Sequence, residues 1–398
     1  MVTPHNETVV QGTWSDVVTA IQNAEPGATV TIHEKSDGSA YQPTNDTTPV
    51  EINKDLTIVG SGDVRFDWDD WAYKYLFVIK GSKRSTESLD SDTQAGGTYD
   101  DSSDQADHLD YPASLTVPGD LNVIHDDAYW SSDNSYHRGE SHVVQDEAEN
   151  GDVRVEESLI YDYLTSRNAK VEVIEPVEFH LKNVELDGPS AVDKDIDGDG
   201  YKDFFEGIKL KWCKDSTLEN VTVRNCSSIG LQIDECYNID ITDSKFEKCK
   251  KDGIGYGVVV YNASAHVSIK DSHLNECRHG LSVGTNRFGQ SRNVSVEDCV
   301  LGTSTLQILD AHPTCESLHV QNCHFQLGTE MPLFSGARYT SLERNQIFDS
   351  WKVNVRGNPP NPVFNVENNT FVRPKQTPSE WSTSDQMNLH RNNIVDTI

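Results

Sequence analysis

An all-β fold, a right-handed parallel β-helix, is predicted by three features of this chain of 398 residues. A short apolar strand recurs near every two dozen residues: GIKLKW (207–212), GLQIDE (230–235), GVVVYN (257–262), GLSVGT (280–285), TLQILD (305–310), PLFSGA (332–337) and WKVNVR (351–356). A second strand follows each copy, as in NVTVRNC, NIDITDS, HVSIKDS and NVSVEDC. After it stands an Asn or Asp with a large apolar residue three places on, at Asn183/Leu186, Asp243/Phe246, Asp271/Leu274, Asp298/Leu301, Asn322/Phe325, Asn345/Phe348 and Asn368/Phe371. Period-two alternation marks the strands. A unit this short cannot bury its apolar face alone and has to stack on copies of itself, each copy one coil of a solenoid.

The elements follow in order. TWSDVVTAIQNAEPGATVTI reads as a helix with Ser15 as N-cap, Val17, Val18 and Ile21 on one face and a Pro-Gly stop. It would cover the open end of the solenoid, whose free edges otherwise invite aggregation. With the strands TVTIHE and DLTIVGSG it makes 1–80 an N-terminal cap and first rungs. Residues 81–110 are polar and Gly/Ser/Asp-rich and read as a long exposed loop; several short strands follow, so 81–172 is an insertion carrying a small β subdomain. Rungs occupy 173–372, and 373–398 is an irregular tail or cap.

The Asn/Asp column reads as a turn ladder that satisfies backbone groups. The cysteines follow the same repeat. Cys226, Cys299 and Cys323 come directly after the Asn/Asp position, where Ser244 and Ser272 replace them, and Cys249 and Cys277 share another column. Small half-buried stacked residues are expected there in preference to disulfides, and no CxxC pair points to zinc.

Acidic residues number 64 against 33 basic ones, a net charge of -31. That surface repels nucleic acid and anionic membranes. It fits a halophile's protein, soluble where salt screens self-repulsion, ahead of a generally acidic extracellular one. No stretch approaches the roughly 18 apolar residues of a membrane span. MVTPHNETVVQGTW lacks the basic flank and apolar core of a signal peptide, so either a signal was removed or the protein leaves its cell as a virion component would.

DIDGDGYKDFFE (195–206) matches the twelve-residue calcium loop. Asp195, Asp197 and Asp199 alternate, Gly200 makes the turn, the Tyr201 carbonyl and Asp203 follow, and Glu206 closes the loop as the bidentate ligand. Ca2+ is therefore the expected ion, with the structural role of pinning an insertion to the rung that begins at Gly207.

Parallel rungs stack at about 4.8 Å, so columns matter more than distance in sequence. Aligned on the first strand, Arg278 and His279 enter one rung, and its exit turn carries Asn286 and Arg287. The same turn carries Asp310 and His312 one rung on, Arg338 on the next, and Glu235 and Tyr261 on earlier rungs. A catalytic reading makes His279 or His312 the general acid/base, oriented by Asp310, with Arg278, Arg287 and Arg338 neutralising a developing anion. Hydrolysis of a glycoside normally needs two carboxylates, which Asp234 or Glu235 with Asp310 would supply. The alternative is a polar turn column without chemistry.

The helix-first opening and the rungs resemble the pectate-lyase-like superfamily of right-handed parallel β-helices. More narrowly, RGESHVVQDEAENGDVRVEESLIYDYLTSRNAKVEVIEP (138–176), RHGLSVG (278–284) and DAH (310–312) resemble tail-spike and tail-fibre proteins of tailed viruses over roughly 1–372. The resemblance implies a groove that recognises cell-surface polysaccharide and in some members cleaves it. It marks Arg278, His279, Asp310, His312 and Arg338 as groove residues. It also implies other tail or baseplate proteins as partners and a homotrimer, although the chain has neither an evident trimeric coiled-coil tail nor the calcium-carboxylate cluster of pectate lyases within its rungs. A secreted polysaccharide hydrolase or lyase of a halophilic microbe is the second reading, and a structural spacer the third.

Overall fold

The computed structural model describes residues 7–44, 49–68, 75–93, 95, 107–130, 136–147, 153–188, 205–284, 288–326, 331–349, 354–355, 363–374 and 387–396. It is a right-handed parallel β-helix. Among the described residues nine strands of successive rungs form one wall: Val50–Ile52, Tyr75–Lys80, Glu206–Lys211, Ile229–Asp234, Tyr256–Tyr261, His279–Gly284, Gln307–Ala311, Met331–Ser335 and Asn354–Val355. The rest of each rung joins a sheet of nineteen strands that bends around the other sides.

The bend sits at single residues in the left-handed region. Asn183, Asn220, Asp243, Asp271, Asp298, Asn322, Arg344 and Asn368 all have φ between 50° and 60° or within two degrees of it. Asn and Asp tolerate this conformation because their short polar side chains bond locally. One rung differs from the sequence expectation: the turn falls on Arg344, with Ile347 buried behind it, not on Asn345 and Phe348.

Asn345 instead points inward, continuing the column Ser244, Ser272, Cys299 and Cys323. Cys323 N–H donates to Asn345 Oδ1 at 2.8 Å, Asn345 N–H to Asn369 Oδ1 at 2.9 Å, and Asn369 N–H to Asn393 Oδ1 at 2.8 Å. Each rung's side chain thus satisfies a backbone donor of its neighbour, which a buried turn requires. All eight cysteines are free and buried. Their columns differ in one respect from expectation: Arg224 pairs with Glu247 and Glu247 with Asn275, so Cys226 stacks with Cys249 and Cys277.

At the N-terminal end the helix spans Trp14–Asn23 and buries Trp14, Val17, Val18 and Ile21. Its N-cap is Thr13, not Ser15. Asp16 N–H donates to Thr13 Oγ1 at 3.3 Å and Thr13 N–H donates to Asp16 Oδ2 at 2.7 Å, a capping box closed by an Asp.

The insertion leaves the wall after Lys80 and rejoins the rungs at Phe179. Its six-stranded antiparallel sheet includes Ser82–Ser88, within the segment expected to be loop, and Lys170–Glu175, which carries the subdomain past residue 172. The sheet docks on the solenoid through Leu121, Val123, Val143 and Ile174 against Trp212, Tyr237, Ala263 and Phe288. The solenoid ignores the interruption: Tyr75–Lys80 pairs directly with Glu206–Lys211, and Leu56–Asp67 with Phe179–Asp187.

Candidate functional site

The outer face of the nine-stranded wall collects polar and aromatic side chains. One outward column runs Lys209, Gln232, Val259, Ser282, Asp310, and a second runs Lys211, Asp234, Tyr261, Gly284. A third, nearer the strand starts, places Tyr75 beside Glu206, then Ile229, Tyr256 and His279.

His279, Asp310 and His312 meet on this face. His279 Nε2 lies 3.6 Å and His312 Nε2 3.2 Å from the same Asp310 oxygen, Oδ2. His279 Nδ1 is 2.8 Å from the Gln307 carbonyl oxygen. A carbonyl can only accept, so Nδ1 carries the proton and the neutral ring turns its Nε2 lone pair toward Asp310. Burial lowers the His279 pKa, opposed by Asp310 and the Gln307 carbonyl and helped by the positive charge of Arg278. His279 is therefore a neutral base at pH 7, whereas the half-exposed His312 is free to donate to Asp310. The 3.6 Å gap between two acceptors, His279 Nε2 and Asp310 Oδ2, suits a shared proton from a water or a sugar hydroxyl.

Tyr256 stacks on His279 with ring centres 5.7 Å apart, and its hydroxyl donates to the Gly253 carbonyl at 2.9 Å. Arg278 donates to the same carbonyl at 3.2 Å and bears electrostatically on both Tyr256 and His279. Burial raises the Tyr256 pKa, so the phenol stays a donor. Tyr256 was not among the residues expected from the sequence; its place one residue before the apolar run, as for His279, was the available signal.

The other expected residues divide. Tyr261 lies on the face, its pKa raised by burial. Glu235 is buried at a left-handed turn, φ 53°. Its Oε2 accepts from Trp212 Nε1 at 2.6 Å and lies 3.4 Å from Lys211 Nζ. Burial raises its pKa, Asp234 adds to this and Lys211 opposes it. Asp234 and Asp310 sit on strands separated by two others, hence three spacings or roughly 14 Å, beyond the about 9.5 Å limit of glycosidase carboxylate pairs. Neither Asp234 nor Glu235 therefore partners Asp310. Arg338 is not part of the cluster: it binds Glu316 Oε1 at 3.1 Å on another side of the solenoid. The turn before it is short. Ala311 pairs with Ser335 and Ser317 with Tyr339, so Arg338 stands beside Glu316, not beside His312.

Arg287 lies outside the described residues, as do Asp195, Asp197, Asp199, Tyr201 and Asp203 of the calcium loop. Glu206, the last expected ligand, is buried in the wall, and its Oε1 accepts from the Ser228 hydroxyl at 3.0 Å.

Wall, bend and interior ladder define a right-handed parallel β-helix built like those of phage tail spikes. The family described as a right handed beta helix region matches residues 143–301. The chain is similar to the capsule K1-specific depolymerase of Klebsiella phage K64-1, 24% identical over 186 residues, which is 42% of this chain and 19% of that protein. Among solved structures it is similar to the tailspike gp49 of Pseudomonas phage LKA1, with TM-score 0.68, 16% identity, and 96% of this chain against 62% of that one. It is also similar to the Gp54 tailspike of Acinetobacter baumannii bacteriophage AP22, solved with A. baumannii capsular saccharide, with TM-score 0.57, 13% identity, and 96% against 66%. The chain thus spans less than two thirds of the first of these structures and about a fifth of the curated relative.

Proposed function

We propose that the protein is a tail-spike or receptor-binding component of a virion that recognises cell-surface polysaccharide on the outer face of the nine-stranded wall. The observation that carries this reading is the convergence of His279 and His312 on one oxygen of Asp310, flanked by Tyr256 and Arg278. Aromatic faces and fixed polar groups on a rigid wall are what a saccharide site requires. The similarity to a capsule depolymerase and to tail spikes supports it. In this reading Asp310 and His312 meet the bound glycan. His279, held by the Gln307 carbonyl with its Nε2 lone pair toward Asp310, accepts a proton from a glycan hydroxyl or a bridging water, and Tyr256 and Arg278 fix the His279 ring.

A virion role would bring other tail or baseplate proteins as partners and a homotrimer, and the net charge of -31 fits a halophilic host. Calcium in the 195–206 loop completes the proposal as a structural ion.

The test is binding and turnover on purified host envelope glycan, in molar salt with calcium, comparing the parent with Asp310→Ala and His279→Ala. Binding with new reducing ends or unsaturated products, both lost in the variants, establishes a depolymerase. Binding without products, weakened in the variants, establishes a recognition groove. No binding, or binding indifferent to both substitutions, defeats the proposal.

A further inference from the structure

We propose that the cleft between the insertion and the outer face of the nineteen-stranded sheet is a second saccharide-binding site, shaped for a neutral pyranose; this rests on the glycan reading of the protein but not on the wall cluster. The cleft encloses about 520 Å³, within the size of small-ligand sites, and lies at a junction of two bodies where such sites concentrate.

Its floor is a stack of alternating charge. Arg292, Glu316 and Arg338 enter successive rungs, and each arginine is already neutralised. Arg292 Nη1 lies 2.6 Å from Glu157 Oε2 of the insertion, and Arg338 Nη1 lies 3.1 Å from Glu316 Oε1. Tyr161, also from the insertion, donates its hydroxyl to Glu316 Oε2 at 2.7 Å. The Glu316 side chain is only 6% exposed, so this framework is set before any ligand arrives. Two arginines are thus matched by two carboxylates, and a floor without net charge gives a neutral ligand the advantage over an anion.

Above the floor the sheet presents surface suited to sugar. Tyr339 stays 39% exposed, with Val363 next to it on the following rung and Ile160 of the insertion opposite. Beside that apolar strip, His319, Ser341 and Asn365 occupy one outward column on three consecutive rungs, spaced at about 4.8 Å. A pyranose has an apolar C–H face and hydroxyls around its edge. Tyr339 with Val363 receives the first, and the His319–Ser341–Asn365 column the second.

The experiment is saturation-transfer NMR on the full chain with glucose, galactose, mannose and N-acetylglucosamine, with glucuronate as the charged control. At least one neutral sugar is expected to bind at millimolar concentration and glucuronate more weakly. In an Asp310→Asn background, which silences the wall cluster, neutral-sugar binding is expected to persist, Tyr339→Ala to weaken what remains at least tenfold, and Ser341→Trp, which fills the cleft, to abolish it. Asn365→Ala serves if the tryptophan variant does not fold. The proposal is overturned if no neutral sugar binds, if glucuronate binds best, or if Tyr339→Ala and Asn365→Ala leave binding intact. Binding lost in Asp310→Asn alone likewise overturns it while leaving the wall groove standing.

Discussion

His312 lies across Gly284, its neighbour on the preceding rung: a methyl group at Gly284 would meet His312 Cβ at 3.0 Å and its ring at 3.2 Å. The absent side chain is what lets the imidazole reach Asp310 Oδ2 at 3.2 Å. Gly284→Ala should therefore displace His312 by a few tenths of an ångström or more and weaken glycan binding or turnover about tenfold, the scale of one charge-assisted hydrogen bond. Stability should change by less than about 1.5 kcal/mol. Isothermal titration beside chemical denaturation separates the two effects, and equal losses in both would refute the positioning role.

The lowered pKa of His279 makes a signed prediction. In the unfolded chain the imidazole takes a proton near pH 6.5, whereas the folded one resists to lower pH. Between those two values the unfolded state binds more protons, so stability falls as pH drops below about 6.5 and levels off below the folded pKa. His279→Gln should flatten that part of the curve. Activity that needs the neutral ring should decline over the same acidic range, read from a pH series of turnover or binding.

The asparagine ladder should be costly to interrupt. Asn369 is fully buried, donates to the Leu342 carbonyl at 2.8 Å and accepts from the Asn345 N–H at 2.9 Å. Asn369→Ala leaves both backbone groups unpaired, at about 1–3 kcal/mol each. Denaturant melts should show a loss of about 2–5 kcal/mol, and Asn369→Asp should be no milder, since a buried carboxylate oxygen would face the Leu342 carbonyl and Asn393 Oδ1 where the amide now donates.

Calcium should raise the melting temperature. An ion that binds only the folded state stabilises it by about 2.7 kcal/mol at a hundred times its Kd. Asp195→Ala with Asp199→Ala should remove the response to calcium and to EDTA, while magnesium, which prefers a tighter octahedral shell, should substitute poorly. A calcium-independent melting curve in the parent would dismiss the ion.

Much of the solenoid is legible because stacking converts sequence spacing into position: His279, Asp310 and His312 each hold a fixed offset from an apolar strand, and they meet. Where turn length varies, spacing no longer gives position. The shorter turn before Arg338 carries it to Glu316, and the Arg344–Asn345 pair offers two polar residues where only backbone conformation decides which one bends. The docking of Tyr161 onto Glu316 joins residues 155 apart across two unlike sheets, and no periodicity encodes it. Tyr256 is not legible as a site residue because a tyrosine beside an apolar run reads as packing until its neighbour on the next rung is known to be a histidine.

The two ends of the insertion come together at one point. A side chain on Gly81 would strike the carbonyl oxygens of Glu175 and Trp212 and the backbone of Pro176, so entry and exit strands pass within touching distance. Such a cassette is tethered at a single point, while its sheet rests on the patch of Trp212, Tyr237, Ala263 and Phe288. A replacement cassette would have to cover the same apolar patch, and would then alter what the molecule meets at its flank while leaving the wall and its histidines in place.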